Sequence, residues 1–446
     1  MTTENVDVTD VIRYCNLKAT DSAQPNSEND TQSYSSQTPE DSIDKVIESA
    51  VSGDASAMLC LSHCYDEGIY VDQNKVESLK WLHNAAEHGF APAQHNLGLN
   101  YCNGTGVDQS YETAFNMFMS AGKQGVAESQ YNLGAMYENG HYVSTNMDEA
   151  IYWYNQAANR NCPNALLRLG HFHSDGIGFK PDFAKAFELY MKAAEQGHAE
   201  AQHIIGDIYL TGEVAERNGE KAFTWLSKAA DQGYVDSYST LGTMYNFGIS
   251  VSQDTQKAIS WFSKGVECGC DAARTNLAGI YLCGAPGIQK DYSKAYNLLV
   301  GVATTANPLA EYYFGKMFSN GYGVAQDYSI ALEMFRKSAD TSYPPSMYSL
   351  GAAYLFGYGV HKDHKIAFEW ISKAAELGDG DAQFFLGQAY AAGIGFKADL
   401  GTAMMWLRRA AEQDHEEAIK MIRKLCALNK PALIRSAAKM QKLKRY

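Results

Sequence analysis

The register of one glycine column constrains this chain more than any other feature. Ser62, Gly98, Gly134, Gly170, Gly206, Gly242, Ala278, Gly315, Gly351 and Gly387 stand 36 residues apart, except for a step of 37 between Ala278 and Gly315. Six positions after each of these anchors comes a glycine: Gly68, Gly104, Gly140, Gly176, Gly212, Gly248, Gly284, Gly321, Gly357 and Gly393. Glycine makes up 38 of 446 residues, so ten in register by chance is negligible. A period in this range marks a repeat array.

Other columns share the period. Three residues after the anchor stands an aromatic, from Tyr65 and Tyr101 to Tyr390, with His173 the exception. Nineteen after it, or twenty where the seventh unit takes its extra residue, lie all six tryptophans (Trp81, Trp153, Trp225, Trp261, Trp370, Trp406), with Met117, Leu189, Leu298 and Met334 in the remaining units. Each unit reads as two helices. In the second, Ala91–Asn103 carries an apolar and small stripe at Ala93, Leu97, Gly98 and Tyr101, and Tyr111–Lys123 turns Ala114, Met117, Phe118 and Ala121 inward. A helix of this length spans about 20 Å and is marginal alone in water. Its stability has to come from neighbouring helices, which makes the expected fold all-α, a solenoid of ten helix-turn-helix repeats.

The stretch "LGLNYCNGTGV" (97–107) has the look of a phosphate-binding loop. A dinucleotide fingerprint needs a strand before the glycines, and a P-loop ends in Lys-Ser/Thr. Here a helical pattern precedes them, neither spacing fits, and the cluster recurs through the chain. The expected role is to turn the chain between helices, with Gly104 as a left-handed cap.

Composition bounds the rest. With 46% apolar and 12% aromatic residues the chain can bury a large core. The net charge of −14 is unevenly placed: residues 420–446 hold nine Lys/Arg and no acid, leaving 28 basic against 51 acidic residues elsewhere. An acidic body argues against nucleic acid along it and permits such binding only at the basic end. No run of about 18 apolar residues suggests a membrane span. The first residues have neither a basic nor an apolar signal region, and nine cysteines without pairwise spacing suit reduced thiols. A cytoplasmic setting is expected.

Residues 1–37, rich in Ser, Thr, Asn and Gln, are expected to be disordered. Thr38-Pro39-Glu40-Asp41 reads as the start of a capping helix over 38–53, closed by Gly53. The repeats take 54–415, and 416–446 forms a C-terminal capping helix and basic tail.

The pattern Ala-x-Ala-Gln-x-x-Leu-Gly-x-x-Tyr-x-x-Gly-x-Gly-Val, followed by Ala-x-x-Trp and Ala-Ala-x-x-Gly, resembles the Sel-one-like repeat (SLR) family, relatives of tetratricopeptide repeats. Ala91–Val107, Ala127–Val143 and Asp381–Phe396 match it closely. The resemblance implies a right-handed α-superhelix that acts as an adaptor or scaffold, with no shared catalytic residues and no cofactor. The seventh repeat departs from it, with Ala278 at the anchor, an extra loop residue and Gly301-Val302 in the Ala-Ala column. The fifth lacks the second loop glycine. The stack is expected to be weakest, or to bend, near 284–308.

Enzyme signatures are thin. Ser-x-x-Lys occurs at Ser42–Lys45 and Ser436–Lys439 without a Lys-Thr-Gly partner. Cys60 and Cys64 share a helix face, but two ligands do not make a zinc site. Cys268 and Cys270 are too close for an ordinary structural disulfide, and His171 and His173 point apart on a helix. No metal, cofactor or catalytic residue is expected.

A partner is expected on the first helices, which line the concave wall of a superhelix. Positions two before and five after the anchor share a face. They hold Asn96 and Asn103, Asn132 and Asn139, Arg168 and Asp175, then Asn276, Tyr313 with Asn320, Ser349 with Phe356, and Phe385. One reading is a peptide groove formed by Asn96, Asn103, Asn132, Asn139 and Arg168, since Asn side chains in related tetratricopeptide folds bond peptide backbone. The other is that these are solvated polar residues. The aromatic end is either a second contact patch or inter-repeat packing. "ALIRSAAKMQKLKRY" (432–446) either seals the last repeat against the acidic body, docks an acidic partner or anionic membrane, or serves as an address. The expected function is a non-enzymatic adaptor or scaffold for protein–protein interaction. The alternatives are a delivered bacterial effector that uses the same surface on a host protein and, more remotely, a hydrolase on a repeat scaffold.

Overall fold

Each short helix is buried by its partner within the repeat and by the helices of neighbouring repeats. The computed structural model describes residues 39–302, 307–395 and 397–428. Among them run 22 helices and no strand, apart from one isolated bridge between Ala285 and Ile288. The fold is an all-α solenoid. The expected tail over 1–37, the Thr38 cap, Ser436–Lys439 and the basic segment 432–446 lie outside the described residues.

The chain divides into two compact units, one up to Ser237 and one from Tyr238. In the first unit, α1 (Pro39–Val51) precedes five helix pairs: α2 (Ala55–Glu67) with α3 (Lys75–Glu87), α4 (Ala91–Asn103) with α5 (Tyr111–Lys123), α6 (Ala127–Asn139) with α7 (Met147–Ala158), α8 (Pro163–Asp175) with α9 (Phe183–Glu195), and α10 (Ala199–Thr211) with α11 (Gly219–Asp231). Helix α12 (Val235–Phe247) carries the boundary and pairs with α13 (Thr255–Glu267). The second unit continues with α14 (Asp271–Cys283) and α15 (Tyr292–Val300), α16 (Pro308–Asn320) and α17 (Tyr328–Asp340), α18 (Pro344–Phe356) and α19 (His364–Glu376), α20 (Gly380–Ala392) and α21 (Leu400–Ala411), then α22 (Glu416–Leu428).

Every second helix starts on the same device. A side chain twelve residues after the anchor, or thirteen in the seventh repeat, caps it: Asn74, Ser110, Asn146, Asp182, Asn218, Asp254, Asp291, Asp327, Asp363 and Asp399. Such caps satisfy the orphan N–H groups of the first turn and contribute about 1 kcal/mol each. The cap's own N–H donates back to the aromatic column of the preceding helix, as from Ser110 to Tyr101 O at 2.9 Å and from Asp327 to Phe318 O at 2.9 Å. The turn between the paired helices is thus closed from within the repeat.

The anchor glycine faces the partner helix. A Cβ on Gly98 would lie 2.7 Å from the Phe118 ring, and one on Gly134 2.7 Å from the Tyr154 ring. The column that meets these glycines is the residue after the tryptophan position, and it supplies large buried side chains: Phe118 and Tyr154 are 1% exposed, and Leu226, Leu299, Ile371 and Leu407 are fully buried. Of the tryptophans, Trp153 and Trp406 are buried in the core, and Trp81, Trp225, Trp261 and Trp370 are half-buried at its rim. Trp225, Trp261, Trp370 and Trp406 carry Lys228, Lys264, Lys373 and Arg409 over their rings at 4.3–4.8 Å, contacts worth about 0.5–1 kcal/mol each when exposed.

In the seventh repeat α15 has nine residues where most others have 13. It ends at Val300 with Gly301 as its cap, where other repeats place Lys228, Lys264 or Lys373, so the Ala-Ala column falls on Val302-Ala303 and not on the expected Gly301-Val302.

Candidate interaction site

The first unit presents the row of side-chain amides. Gly98 faces Phe118 in its own repeat, so positions two before and five after it fall about 160° and 140° around α4, on the side turned away from α5. Asn96 and Asn132 are half-buried there, and Asn103 and Asn139 are exposed. Among the described residues, the amides of Asn96, Asn103 and Asn132 make no side-chain hydrogen bond. Asn139 Nδ2 donates to Ala135 O of its own helix at 2.9 Å.

Arg168 occupies the matching position of α8 but is already engaged. Its Nε donates to Glu138 Oε2 at 3.0 Å and its Nη2 to Glu138 Oε1, while the guanidinium lies 4.9 Å from the Phe172 ring. Glu138 also accepts the Tyr154 hydroxyl at 2.7 Å. Burial pushes the Glu138 carboxyl up, but the hydrogen bonds from Arg168 and Tyr154 outweigh it and hold the acid below its ordinary value. Burial, then Glu138, pushes the Tyr154 phenol far up. Asn96, Asn132 and Arg168 therefore share a position on successive first helices, but Arg168 enters the row as half of an ion pair.

The glycine cluster is a turn: Gly104 and Gly106 both have φ of 71°, and the N–H groups of Gly104 and Thr105 point back to Asn100 O. The cysteine and histidine candidates form no common site with a third ligand among the described residues. Cys60 and Cys64 are buried. His171 bonds Tyr190 at 3.0 Å, whereas His173 stacks on Phe179 at 4.2 Å. No group of three or more His, Cys, Asp or Glu that could hold a metal occurs among the described residues.

The second unit holds a different feature, a cleft of about 370 Å³ bounded by α16, α17 and α18. Its apolar walls are Leu332, Phe335, Tyr328, Tyr348 and Tyr358, and its polar rim is Lys316, Ser319, Asn320 and Gln326. The cleft opens because the ninth repeat is small at Ser349 and Ala353, where most other repeats are larger; both line it beside Ala352. The corresponding residues of the third repeat are Asn132, Ala135 and Met136, and the Ala353 column holds buried methionines at Met136, Met244 and Met317. Asn320 and Ser349, both on the face singled out from the sequence, belong to this cleft. Tyr328 and Tyr358 stack at 5.1 Å, and Phe356, 52% exposed, leans on Tyr358 at 5.7 Å. Phe385 packs between Tyr348 and Phe368 at 6.4 and 6.1 Å. The aromatic end thus includes both packing and exposed surface. Lys316, Ala352 and Ala353 lie outside the positions singled out from the sequence, where the run "SLGAAYLFGYG" (349–359) is the available signal.

The family pattern described as Sel1 repeat matches residues 53–90, 91–126, 127–162, 163–198, 199–234, 236–270, 271–299, 308–341, 344–379 and 380–415. Among solved structures, the chain is similar to c5321, described as a protective antigen present in uropathogenic Escherichia coli strains displaying an SLR fold. The identity is 30%, covering 87% of this chain and 90% of that one, with a TM-score of 0.61. A Sel1 repeat protein from Oxalobacter formigenes is 28% identical over 82% of this chain and 98% of that one, with a TM-score of 0.38. No curated protein sequence matches the chain. No helix among the described residues is long and apolar enough to cross a membrane.

Proposed function

Because the chain belongs to the Sel1 repeat family, a solenoid fold that binds protein partners, we propose that it is a non-enzymatic adaptor that holds an extended segment of a partner along the first helices of repeats two to four. The observation that carries this is the set of unengaged amides at Asn96, Asn103 and Asn132 on one face. A side-chain amide offers a donor and an acceptor together, the pair that a peptide bond needs. Leaving these groups unpaired on binding costs about 1–3 kcal/mol each, so they select an extended backbone over an apolar surface. Arg168 contributes as a rim charge held in place by Glu138.

The test is affinity capture from lysate of the source organism with the wild type and an Asn96→Ala/Asn132→Ala variant, matched for helicity by circular dichroism. Loss of a captured protein in the variant supports the amide face. A partner kept by both proteins removes repeats two to four from consideration.

A second reading, a bacterial effector that acts on a host protein through the same surface, draws on the similarity to the uropathogenic Escherichia coli antigen. Capture from host-cell lysate and not from the source organism would favour it.

A further inference from the structure

We propose that the cleft between the eighth and ninth repeats is a second peptide site. It takes one aromatic side chain of a partner segment together with a carboxylate one or two residues away. This extends the scaffold reading to a different unit and a different chemistry, and it stands or falls separately from the amide face.

The cleft has the size and lining for such an anchor. Its volume of about 370 Å³ lies at the lower end of the range of small-ligand pockets, roughly 300–1,000 Å³. Leu332, Phe335 and Ala353 make its interior apolar, and the exposed pair Tyr358 and Phe356 extends that surface outward. Interface energy concentrates where an aromatic anchor fills such a pocket and excludes water.

Charge selects the neighbour. Lys316 is half-buried at the rim, and the one contact recorded for its ammonium among the described residues is the Tyr312 ring at 5.4 Å. Asp381 and Asp379 act on Tyr348 from outside the lining, where Asp379 caps Ala382 N–H at 2.7 Å and Asp381 lies 3.2 Å from His415 Nε2. Lys316 is the one charged side chain among the residues that line the cleft. The chain's net charge of −14 does not reverse this preference, because exposed charges beyond about 8 Å are largely screened at physiological salt.

The repeat array supplies its own blocking variant. Methionine already fills the column of Ala353 in three other repeats, so Ala353→Met adds a side chain that this fold accommodates and places it in the cleft. The probe is a panel of short fluorescein-labelled peptides in a Gly/Ser background. Each carries Trp, Phe or Ala at one position and Glu, Gln or Lys two residues on, and binding is read by anisotropy. Trp–Glu and Phe–Glu peptides should bind about tenfold more tightly than Ala–Glu or Trp–Lys peptides. Ala353→Met should weaken binding at least about tenfold without lowering the urea midpoint, Lys316→Glu should turn the preference from Glu to Lys, and Asn96→Ala/Asn132→Ala should change nothing.

Equal binding to wild type and Ala353→Met, or no binding by any peptide, would overturn the proposal. Preference of the wild type for Lys would overturn it in favour of a basic occupant such as residues 432–446 of this chain. A change in the sedimentation of Ala353→Met in place of a change in peptide affinity would identify a second copy as the occupant. Loss in the Asn96/Asn132 variant would move the peptide to the first unit and leave the scaffold reading standing.

Discussion

Gln124 donates from Nε2 to Oε1 of Gln94 at 2.9 Å, and Gln94 in turn donates to Ala86 O at 3.1 Å, tying α3, α4 and the end of α5 together. The same relay joins Gln232 to Gln202 at 2.8 Å and Gln413 to Gln383 at 3.0 Å. In the third repeat Gln130 reaches Gly122 O at 2.8 Å, but Arg160 stands in the donor's place and Gln130 Oε1 is buried without a partner. An unmet buried acceptor costs about 1–3 kcal/mol, and Arg160 is exposed, so little is lost with it. Arg160→Gln should complete the relay and stabilise the protein by about 1 kcal/mol, seen as a higher urea midpoint. An unchanged midpoint would show that solvent already serves Oε1.

Gly134→Ala tests the close approach of paired helices. The new methyl would lie 2.7 Å from the Tyr154 ring, which is 1% exposed and held by its hydroxyl on Glu138. Overpacking of about 1–3 kcal/mol outweighs the gain of up to about 1 kcal/mol from helix propensity. Net destabilisation is expected. Gly89→Ala meets nothing within 4 Å and carries a φ of 82°, so it should cost about 1–2 kcal/mol through the backbone alone. Chemical denaturation of the two variants distinguishes the mechanisms, because Tyr154→Leu should relieve only the first.

Arg168→Ala strips Glu138 of its counter-charge while leaving a carboxylate that is 12% exposed. A loss of about 1–3 kcal/mol is expected, less than for a fully buried pair because Arg168 itself is 38% exposed. Glu138 titrates below its ordinary value of 4.5 in the folded chain, so its contribution is complete above that pH and lost as pH falls through the folded value. The gap between wild type and variant should therefore shrink in acid. A gap independent of pH would assign the loss to packing on Phe172.

His95 lies below its ordinary value of 6.5 because burial disfavours the imidazolium, with Glu128 opposing, and its Nδ1 sits 2.8 Å from Ser129 Oγ. The unfolded chain takes up this proton first as pH falls through 6.5, so stability declines until the folded value is reached. Between about pH 7.5 and 5.5 the wild-type urea midpoint should fall further than that of His95→Gln. Parallel curves would show that His95 does not couple folding to pH in this window.

Some elements were plain in the sequence for physical reasons. Ala91–Asn103 and Tyr111–Lys123 have the ends the sequence assigned them, because the glycine at each turn takes a backbone conformation that other residues resist. The core layer was less visible. Tryptophan is conspicuous, but burial depends on which neighbour approaches, and the approaching surface is the anchor glycine opposite Phe118, Tyr154 or Leu226. The capping column escaped notice because it alternates among Asn, Ser and Asp, which share a function and not a shape. Arg168 could be placed on its face, but its hold on Glu138, 30 residues away, depends on how successive helices stack. The cleft was hardest to see, since it consists of missing volume at Ser349 and Ala353.

The capped turn bears on how such a chain changes length. Ser110 closes its turn with Tyr101 and Thr113, and Asp327 does so with Phe318, Ser329 and Ile330, without borrowing a bond from another repeat. Cutting between equivalent positions of two repeats and rejoining the ends breaks none of these bonds, so excision or duplication of a whole period is the genetic event this architecture absorbs most readily. A deletion of any other length shifts the caps off their turns. In-frame exchange between equivalent positions of two repeats would thus change the chain in steps of 36 residues and keep every turn closed, each time with a different set of surfaces brought side by side.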